Sequence, residues 1–383
     1  MRVLHVVPSY YPAVRYGGPI YSVHGLAKSL AERGHDVNVF TTNADGDDVL
    51  DVPLGTDVNL DNVNIRYFPC GIGRRIFRSP ALAATLKATI ATVDIVHLHS
   101  VFLYPTLVAS RTAAAAGVPY VLSPRGMLVE DLIQKKSRLA KRIWISLFER
   151  RTIAMASAIH STSAHETEEL ERLGLALPKI IEIPNGIDLP DTGALSEHRR
   201  STTERPYILS LGRISWKKGL SELIRAMVHV PDADLVIAGN DEENYTAKLQ
   251  ALVRDVGIED RVKFHGPVQG HDKWRLLSQA TLFAMPSQSE NFGNSALEAM
   301  AYAVPVVVSP GVGLAAHIQR TVSGVVVPSD PEELGRALCA LMRDPTRREL
   351  MGQAGRHTAA QDFAWRGIAA SFEELYSGIC GPR

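Results

Sequence analysis

The feature that most constrains this chain is a repeated alternation of short apolar runs with segments that have the period of a helix. A β-rich run at residues 3–7 is followed by Val23, Leu26 and Leu30, whose spacing of i, i+3 and i+7 predicts one apolar helix face. Another β-rich run follows at residues 37–42, and the same order of strand and helix continues along the chain. This alternation predicts an α/β fold built from doubly wound parallel sheets.

The length of 383 residues indicates more than one domain. The turn-rich sequence PNGID at residues 184–188 and the polar, aperiodic residues that follow it are typical of a boundary. We therefore predict an N-terminal domain at residues 1–188, a linker at 189–205 and a C-terminal domain at 206–383. We leave open whether the last helix of the C-terminal domain packs on the N-terminal domain.

The amino-acid composition limits the cellular compartments and the classes of binding partner that we expect. Lys and Arg together number 41, as do Asp and Glu, so no overall electrostatic field favours nucleic acid. The three cysteines lack metal or disulfide spacing, which favours a reducing compartment. No segment approaches the roughly 20 apolar residues of a membrane-spanning helix, and no signal-peptide pattern is present. We expect a cytoplasmic protein, with peripheral contact to the inner face of the membrane left open.

The strongest candidate site lies in residues 287–309, SQSENFGNSALEAMAYAVPVVVS. If a helix begins near Gly293, Glu298 lies inside it and Glu290 just ahead of it. The amino terminus of such a helix offers N–H groups to a phosphate or another anion, and the two carboxylates can bind paired hydroxyls of a sugar or ribose. Solvated carboxylates on an ordinary amphipathic helix are the alternative.

A predicted strand-to-helix turn at residues 212–219, GRISWKKG, is a second candidate. The planar cation of Arg213 and the compact charge of Lys218 next to a glycine predict a cradle for a diphosphate. The turn has neither the GxxxxGK[ST] pattern of P-loops nor the GxGxxG pattern of dinucleotide sites.

Two loops of the first half carry further candidates. Gly17 and Gly18, in the loop at residues 8–19, can bring backbone amides close to a ligand, although a plain flexible loop is the alternative. Arg125, in the PRGM sequence, is a candidate contact for an anionic or hydroxylated substrate.

His97 and His99 share one face of the strand predicted from DIVHLH at residues 94–99. We expect one of them to face the crevice in which parallel sheets bind ligands, and structural histidines are the alternative. The neighbouring sequence offers no third ligand, so no metal site is predicted.

Residues 135–151 form the one strongly basic segment, in which Lys and Arg surround an apolar stripe. This pattern is typical of a helix that lies on an anionic membrane surface or meets a lipid-linked phosphate acceptor. A solvated helix packed on its own domain is the alternative.

Several motifs coincide in order and spacing. GGP at Gly17, RGHDV at Arg33, DIVHLH and PNGID precede LGRISWKKG at Leu211 and ENFGNSALEAMA at Glu290. Together they resemble the retaining glycosyltransferases of the GT-B fold that carry the E-x(7)-E signature, the group 1 type of glycosyltransferase family 4. The resemblance spans nearly the whole chain. It implies two Rossmann-like domains that face each other across a cleft, the first binding an acceptor and the second a nucleotide sugar.

The resemblance also implies roles for matched residues of the second domain. Arg213 and Lys218 would hold the donor diphosphate and stabilise the charge of the leaving group. Glu290 would contact the transferred sugar, and Glu298 would bind the ribose. The other implied donor-binding residues are Phe292, Gly293, Asn294 and Ser295 at the helix terminus, with Gly17 and Gly18 from the first domain.

In the first domain, the resemblance places His99 near the transferred sugar and makes Arg125 and His97 candidates for the acceptor. No carboxylate is a compelling nucleophile below the anomeric carbon, so we favour a metal-independent front-face reaction without a cofactor. The predicted activity is transfer of a hexosyl unit from a UDP- or GDP-sugar to a saccharide or lipid-linked saccharide in surface polysaccharide synthesis. A nucleotide-sugar epimerase on the same fold and a non-catalytic scaffold subunit are the alternatives.

Overall fold

The computed structural model describes residues 1–46, 48–128, 144–190, 205–242 and 244–381. Its contacts divide the chain into two compact units, one of Met1–Gly186 with Trp365–Arg383 and one of Ile187–Ala364. The predicted C-terminal domain comprised all of residues 206–383, with the packing of the last helix left open. In the structure, that helix belongs to the first unit.

The first unit is built on an eight-stranded sheet and its covering helices. Its strands are β1 (Arg2–Val6), β2 (Asp36–Thr42), β3 (Ala44–Asp45), β4 (Asp48–Val49), β5 (Asp57–Leu60), β6 (Val63–Phe68), β7 (Ile95–His99), β8 (Tyr120–Ser123), β9 (Ala158–Ser161) and β10 (Ile180–Glu182). Its helices include α1 (Gly18–Glu32), α2 (Pro80–Thr89), α3 (Tyr104–Ala116), α4 (Arg150–Ala154) and α5 (Ala164–Arg172). Eight of these strands form the sheet, in the order β10-β9-β8-β7-β1-β2-β6-β5, in which β5 alone runs antiparallel to its neighbour. The other two, β3 and β4, pair antiparallel with each other in a separate two-stranded sheet.

The second unit is built on a six-stranded parallel sheet in the order β13-β12-β11-β14-β15-β16. Its strands are β11 (Tyr207–Leu211), β12 (Asp234–Ala238), β13 (Val262–Gly266), β14 (Leu282–Met285), β15 (Val306–Val308) and β16 (Gly324–Val326). Its helices include α6 (Leu220–Ala226), α7 (Tyr245–Asp255), α8 (Gly270–Gln279), α9 (Asn294–Ala301), α10 (Ala315–Thr321), α11 (Pro331–Arg343) and α12 (Pro345–Asp362).

Each sheet is covered by an apolar core on both faces. The interior strands β7 and β12 are buried at every position, as expected for parallel strands between two helical layers. Side-chain caps mark several helix starts. Asp330 accepts hydrogen bonds from the backbone N–H groups of Glu332 and Glu333, both at 3.0 Å. These features confirm the predicted α/β class with two doubly wound parallel sheets.

The segment at residues 45–62 is polar and acidic and lacks a hydrophobic period, which predicts a loop, and this prediction is wrong in part. It contains the short strand β5, which forms a hairpin with β6 through Asp61 and Asn62. These two turn residues have φ angles of 52° and 63°, the left-handed conformation that two-residue hairpin turns require. Polar residues on the exposed edge strand hid the hairpin from the hydrophobic pattern.

The last helix, α13 (Trp365–Cys380), packs on α1 in the first unit. Its residues Phe372 and Tyr376 are buried in the same core as Leu26 of α1. The Trp365 indole lies so close to Gly25 that a Cβ there would be 2.3 Å from the ring. Tertiary packing therefore decides to which unit this helix belongs.

Part of the predicted basic segment, residues 135–143, and most of the predicted linker lie outside the described residues. The end of the basic segment forms a π-helical turn at Ile145–Glu149 that continues into α4. None of the helices in the described part of the chain has the length and apolar character that a bilayer crossing requires.

Candidate functional site

The turn between β11 and α6 carries Arg213 and Lys218. A Cβ placed on Gly212 would lie 4.0 Å from Nζ of Lys218 and 4.0 Å from Oγ of Ser295, so the turn meets the start of α9 at this glycine. Gly219 closes the turn with a φ of 62°, and a Cβ there would lie 2.0 Å from the carbonyl oxygen of Pro286. The close approach of these backbone segments therefore requires glycine.

Lys218 and Glu290 form a hydrogen-bonded ion pair between their side chains. The backbone of Glu290 is held on both sides, since its N–H donates to the carbonyl oxygen of Gly311 and its own carbonyl oxygen accepts from Gly313, each at 2.9 Å. Gln288 in turn donates its N–H to the carbonyl oxygen of Lys217 at 2.8 Å. The loop that carries the carboxylate is thus tied to the loop that carries the ammonium group.

The helix α9 begins directly after Gly293, whose φ is 106°. Its N-cap residue, Gly293, has no side chain that could act as a cap, and the amino terminus of such a helix suits an anion. Phe292 is buried and packs edge-on against Phe363 with ring centroids 5.9 Å apart. The structure therefore gives Phe292 a core role, while Asn294 and Ser295 are partly exposed at the helix start.

Glu298 lies on the same helix and pairs with a lysine that was not among the predicted site residues. Oε1 of Glu298 accepts a hydrogen bond from Nζ of Lys273 at 2.7 Å, and both side chains are largely buried. Lys273 also lies over the Trp274 ring, 4.2 Å from its centroid. A lysine within a helix gives no local signal for this pairing, because the partner lies 25 positions away.

Arg213 is more exposed than Lys218 and donates to Oε1 of Glu242 at 3.3 Å. Arg213, Lys218 and Gly212 nevertheless line one small cavity of about 10 Å³, together with Ser287. The Ser287 hydroxyl is buried and has no hydrogen-bond partner among the described residues. This serine was not among the predicted site residues, although it begins the segment that carries Glu290.

In the first unit, the glycine loop precedes α1. Gly17 has φ 75° and ψ −140°, and α1 begins at Gly18 without a side-chain cap. Nearby, Arg15 forms ion pairs with Asp45 and Asp48, and the Tyr16 hydroxyl accepts the N–H of Gly46 at 2.6 Å. These contacts hold Arg15 and Tyr16, which directly precede Gly17, in place.

The predicted histidines lie in a buried cluster at the centre of the sheet of the first unit. Parallel pairing of β1 with β7 puts His5 beside His97, and Nδ1 of His5 lies 3.0 Å from Nε2 of His99. His97 contacts the Tyr376 hydroxyl and the Ser123 hydroxyl, each at 2.6 Å. Both ring nitrogens of His97 therefore have partners inside the unit. Both ring nitrogens of His99 have partners as well, since Nε2 contacts His5 and Nδ1 contacts Arg125.

The histidines of this cluster are neutral. Burial lowers the pKa of His5 and of His160 to about 3, and the charge of Arg125 adds to the effect. Burial also holds the pKa values of His97 and His99 well below the usual range. Burial lowers the pKa of Arg125 to about 10, so this residue remains charged at neutral pH.

The expectation that no third metal-ligand candidate lies near His97 and His99 was wrong, because His5 brings a ring nitrogen within 4.8 Å of theirs. His5 lies 94 positions before His99 in the sequence, and the pairing of β1 with β7 brings the two together. The cluster is a poor fit to a divalent cation. The Arg125 guanidinium lies 3.3 Å from Nδ1 of His99, and both nitrogens of His97 already have partners.

The structure thus brings the predicted residues into two groups. Arg213, Lys218, Glu290 and Ser295 gather around Gly212 in the second unit. His97, His99 and Arg125 gather in the first unit.

Comparison with known proteins gives matches over both halves. A family model described as Glycosyl transferases group 1 matches residues 193–358, and one described as Glycosyl transferase 4-like domain matches residues 17–186. A D-inositol 3-phosphate glycosyltransferase of Xylanimonas cellulosilytica is 30% identical over 94% of this chain and 91% of its own. A GDP-mannose-dependent alpha-(1-6)-phosphatidylinositol monomannoside mannosyltransferase of Mycolicibacterium smegmatis is 32% identical over 51% of this chain and 56% of its own.

Solved structures share the architecture. Sucrose-phosphate synthase from Thermosynechococcus elongatus superposes with a TM-score of 0.80 and 22% identity, covering 99% of each chain. Anabaena Alr3699/HepE in complex with UDP and glucose superposes with a TM-score of 0.74 and 21% identity, covering 98% of this chain and 99% of that one. These likenesses confirm the expected GT-B fold. Since a relative at 30% identity aligns along nearly the whole length, and a family model matches each half, this chain belongs to the group 1 glycosyltransferases.

Proposed function

We propose that this protein is a retaining hexosyltransferase that moves a hexosyl unit from a UDP- or GDP-sugar to a saccharide or lipid-linked saccharide. The observation that carries the proposal is the group around Gly212, where Lys218, Glu290 and the start of α9 meet. A cation, a carboxylate and a helix amino terminus within one small region suit a donor that combines phosphates with sugar hydroxyls.

In this proposal the second unit binds the donor. Lys218, Arg213 and the first turn of α9 receive the diphosphate, Glu290 binds hydroxyls of the transferred sugar, and Glu298 binds the ribose. The ion pair between Lys218 and Glu290 supports these roles, because it places the two charged groups next to each other. When a donor binds, its diphosphate would pair with Lys218 and its sugar hydroxyls with Glu290. Lys273 would hold Glu298 in place for the ribose.

The proposed chemistry is a front-face displacement. The bond between the anomeric carbon and the diphosphate oxygen breaks, and a bond from the acceptor oxygen forms on the same face of the sugar. The proton of the acceptor hydroxyl passes to the leaving phosphate oxygen. Lys218 and Arg213 stabilise the negative charge that develops on the diphosphate, which is the electrostatic role that a metal has in other transferases. The reaction as proposed requires no metal or other cofactor.

The activities named for two relatives support the proposed classes of donor and acceptor. One relative is dependent on GDP-mannose, and both act on acceptors whose names contain a phosphorylated inositol. We accordingly extend the proposal to an acceptor that carries a phosphate and to a role in assembling a surface glycan. The basic residues Arg150 and Arg151 at the described end of the basic segment suit an anionic membrane surface, so we propose a cytoplasmic protein with peripheral membrane contact.

A panel of UDP-, GDP- and ADP-sugars tests the proposal through nucleotide release, measured with and without membrane extract. A transferase is expected to release one nucleoside diphosphate well above the others and to retain the anomeric configuration in the product. Conversion of the donor sugar without nucleotide release would indicate an epimerase instead. A protein that is inert with every donor and shows no thermal shift with any nucleotide would contradict the proposal in favour of a scaffold subunit.

A further inference from the structure

Among the described residues, the guanidinium of Arg125 has only neutral hydrogen-bond partners. Nη1 donates to Oδ1 of Asn185 at 2.8 Å and to Oγ of Ser22 at 3.5 Å, and Nη2 donates to Nδ1 of His99 at 3.3 Å. Nε is buried and has no partner in the part of the chain that the structure describes. A partly buried cation without a hydrogen-bonded anion retains much of its desolvation cost, so this site favours a negatively charged ligand.

The direction of the hydrogen bonds shows that the adjacent histidines cannot supply the missing negative charge. Arginine only donates, so Nδ1 of His99 accepts and the ring proton is on Nε2. That proton is donated to Nδ1 of His5, which must therefore carry its own proton on Nε2. Nε2 of His5 is a second buried donor without a partner among the described residues.

The other two histidines are neutral for the same kind of reason. Nε2 of His160 donates to the carbonyl oxygen of Ile183 at 2.8 Å, so Nδ1 accepts from the Ser123 hydroxyl at 2.6 Å. Ser123 consequently accepts from Nε2 of His97, and Nδ1 of His97 accepts from the Tyr376 hydroxyl. Every hydrogen bond in this series, from Ile183 to Tyr376, has a defined donor, and none of the groups in the series is an anion.

The carboxylate of Glu166 raises the pKa of Arg125 through its charge, but its oxygens are engaged with other groups. Its Oε1 accepts the N–H of Gly126 at 2.8 Å, and its Oε2 accepts from the N–H and the hydroxyl of Thr162 at 2.7 and 2.9 Å. Glu166 thereby holds a turn in which Arg125 and Gly126 have φ angles of 56° and 70°. A left-handed conformation in a non-glycine residue is strained and persists only where the surroundings enforce it.

We infer that Arg125 is the receptor for a phosphate ester of the acceptor, an inference that rests on the proposed transferase function. The planar, paired donors of arginine suit a phosphate better than the single ammonium of lysine does. Arg125 keeps part of its surface exposed, so a ligand can reach it. The neutral groups at Asn185, Ser22 and His99 orient the guanidinium without cancelling its charge.

Calorimetric titration with glycerol 3-phosphate tests this inference on the full chain, saturated with the nucleoside diphosphate that the donor panel identifies. Saturation fills the anion sites of the second unit. We expect Arg125→Gln to weaken glycerol 3-phosphate at least tenfold and Arg125→Lys to weaken it less, while nucleotide affinity stays within twofold. Arg111→Gln is the matched control, because Arg111 is exposed, lies over the Phe148 ring and takes no part in the hydrogen bonds of Arg125. It should bind glycerol 3-phosphate like the unmodified protein.

Two further measurements separate the possible outcomes. Vesicles of phosphatidylinositol in phosphatidylcholine test a lipid source of the phosphate, and binding that Arg125→Gln weakens supports the site for either source. If Arg125→Gln does not fold, the ¹⁵N signal of Arg125 Nε in the unmodified protein should shift on titration with glycerol 3-phosphate or with those vesicles. The inference is overturned if the unmodified protein binds neither probe, or if Arg125→Gln binds both with unchanged affinity.

If no nucleotide binds, the transferase proposal fails independently. The phosphate titration is then run on Lys218→Ala without nucleotide, in which the anion cradle of the second unit is weakened. Binding that depends on Arg125 in that background supports the anion site, and binding that does not depend on it refutes the site.

Discussion

At the scale of single residues, each candidate carboxylate of the second unit is held by one lysine. Glu290 is paired with Lys218, and Glu298 is paired with Lys273. A partly buried carboxylate that loses its cation retains the cost of desolvation, so each lysine stabilises its partner and fixes the direction of that side chain. The two pairs differ in exposure, because Lys273 is more deeply buried than Lys218.

Replacing Lys218 tests the proposed diphosphate cradle. We expect Lys218→Ala to lower kcat by about 10²–10³, because a positioned donor that stabilises a developing charge has an effect of this size. Steady-state kinetics with the identified donor measures it. Lys217→Ala is the matched control, since Nζ of Lys217 lies over the Trp216 ring, and it should retain kcat within about threefold. Near-normal turnover of Lys218→Ala would contradict the role of this lysine.

Lys273→Met tests whether the second pair prepares Glu298 for the ribose. We expect the Kd of the nucleoside diphosphate to rise about tenfold, or about 1.4 kcal/mol, with a smaller change in kcat. Lys263→Met is the control, because it breaks a comparable pair with Asp234 at 3.3 Å in which the lysine is far more exposed. Equal nucleotide affinity in the two variants would show that Lys273 does not position a donor-binding group.

At the scale of elements, the candidate groups lie where strands end and helices begin. The turn after β11 and the start of α9 come together because β11 and β14 are neighbours in the sheet. Gly219 permits this approach, since any side chain there would collide with the carbonyl oxygen of Pro286. The geometry of the site therefore depends on the contact between two loops as well as on the residues in them.

Gly219→Ala should destabilise the protein more than a glycine with a similar backbone conformation does. Gly257 is the matched control, because its φ is 68° but a Cβ there meets no atom within 4 Å. We expect Gly257→Ala to cost about 1 kcal/mol from the left-handed conformation alone. Gly219→Ala should cost about 3 kcal/mol or more, since a backbone shift is added. Denaturant unfolding compares the two variants, and equal losses would mean that the turn relaxes freely.

At the scale of the whole molecule, each unit has its own sheet and its own cores, and the chain passes between the units twice. Near these passages, the N–H of Ile187 donates to the carbonyl oxygen of Phe363 at 2.8 Å. The core of the first unit includes Phe372 and Tyr376 of α13, so this unit needs the end of the chain for its full core. A buried histidine cluster lies in this unit, so the stability of the unit depends on pH.

The protein should lose stability as the pH falls from about 6.5 toward 3. Unfolded imidazoles bind protons near pH 6.5, whereas His5 and His160 in the folded protein resist protonation until the pH reaches about 3. The unfolded state therefore binds more protons in this window, and each such histidine lowers the free energy of unfolding by roughly 1.4 kcal/mol per pH unit.

Equilibrium unfolding at several pH values measures this slope. His160→Gln keeps a donor for Ile183 and an acceptor for Ser123 but does not titrate, so it should reduce the slope by about the contribution of one histidine. A slope that this substitution does not change would contradict the neutral, buried state of His160.

The sequence by itself determined the alternation of strands and helices, the α/β class and the family, because these depend on local periodicity and on motifs within a few residues. The predicted helix start near Gly293 also agrees with α9. The polar hairpin strand β5 was missed, since an exposed edge strand has little apolar pattern.

Only the tertiary structure decided which distant residues meet. His5 joins His99 across 94 positions because β1 and β7 pair in parallel, and Lys273 reaches Glu298 because α8 lies beside α9. The last helix joins the first unit because Trp365 fits against Gly25 and Gly186. Strand order and helix packing are set by the sum of many contacts far apart in the chain, and no local pattern specifies them.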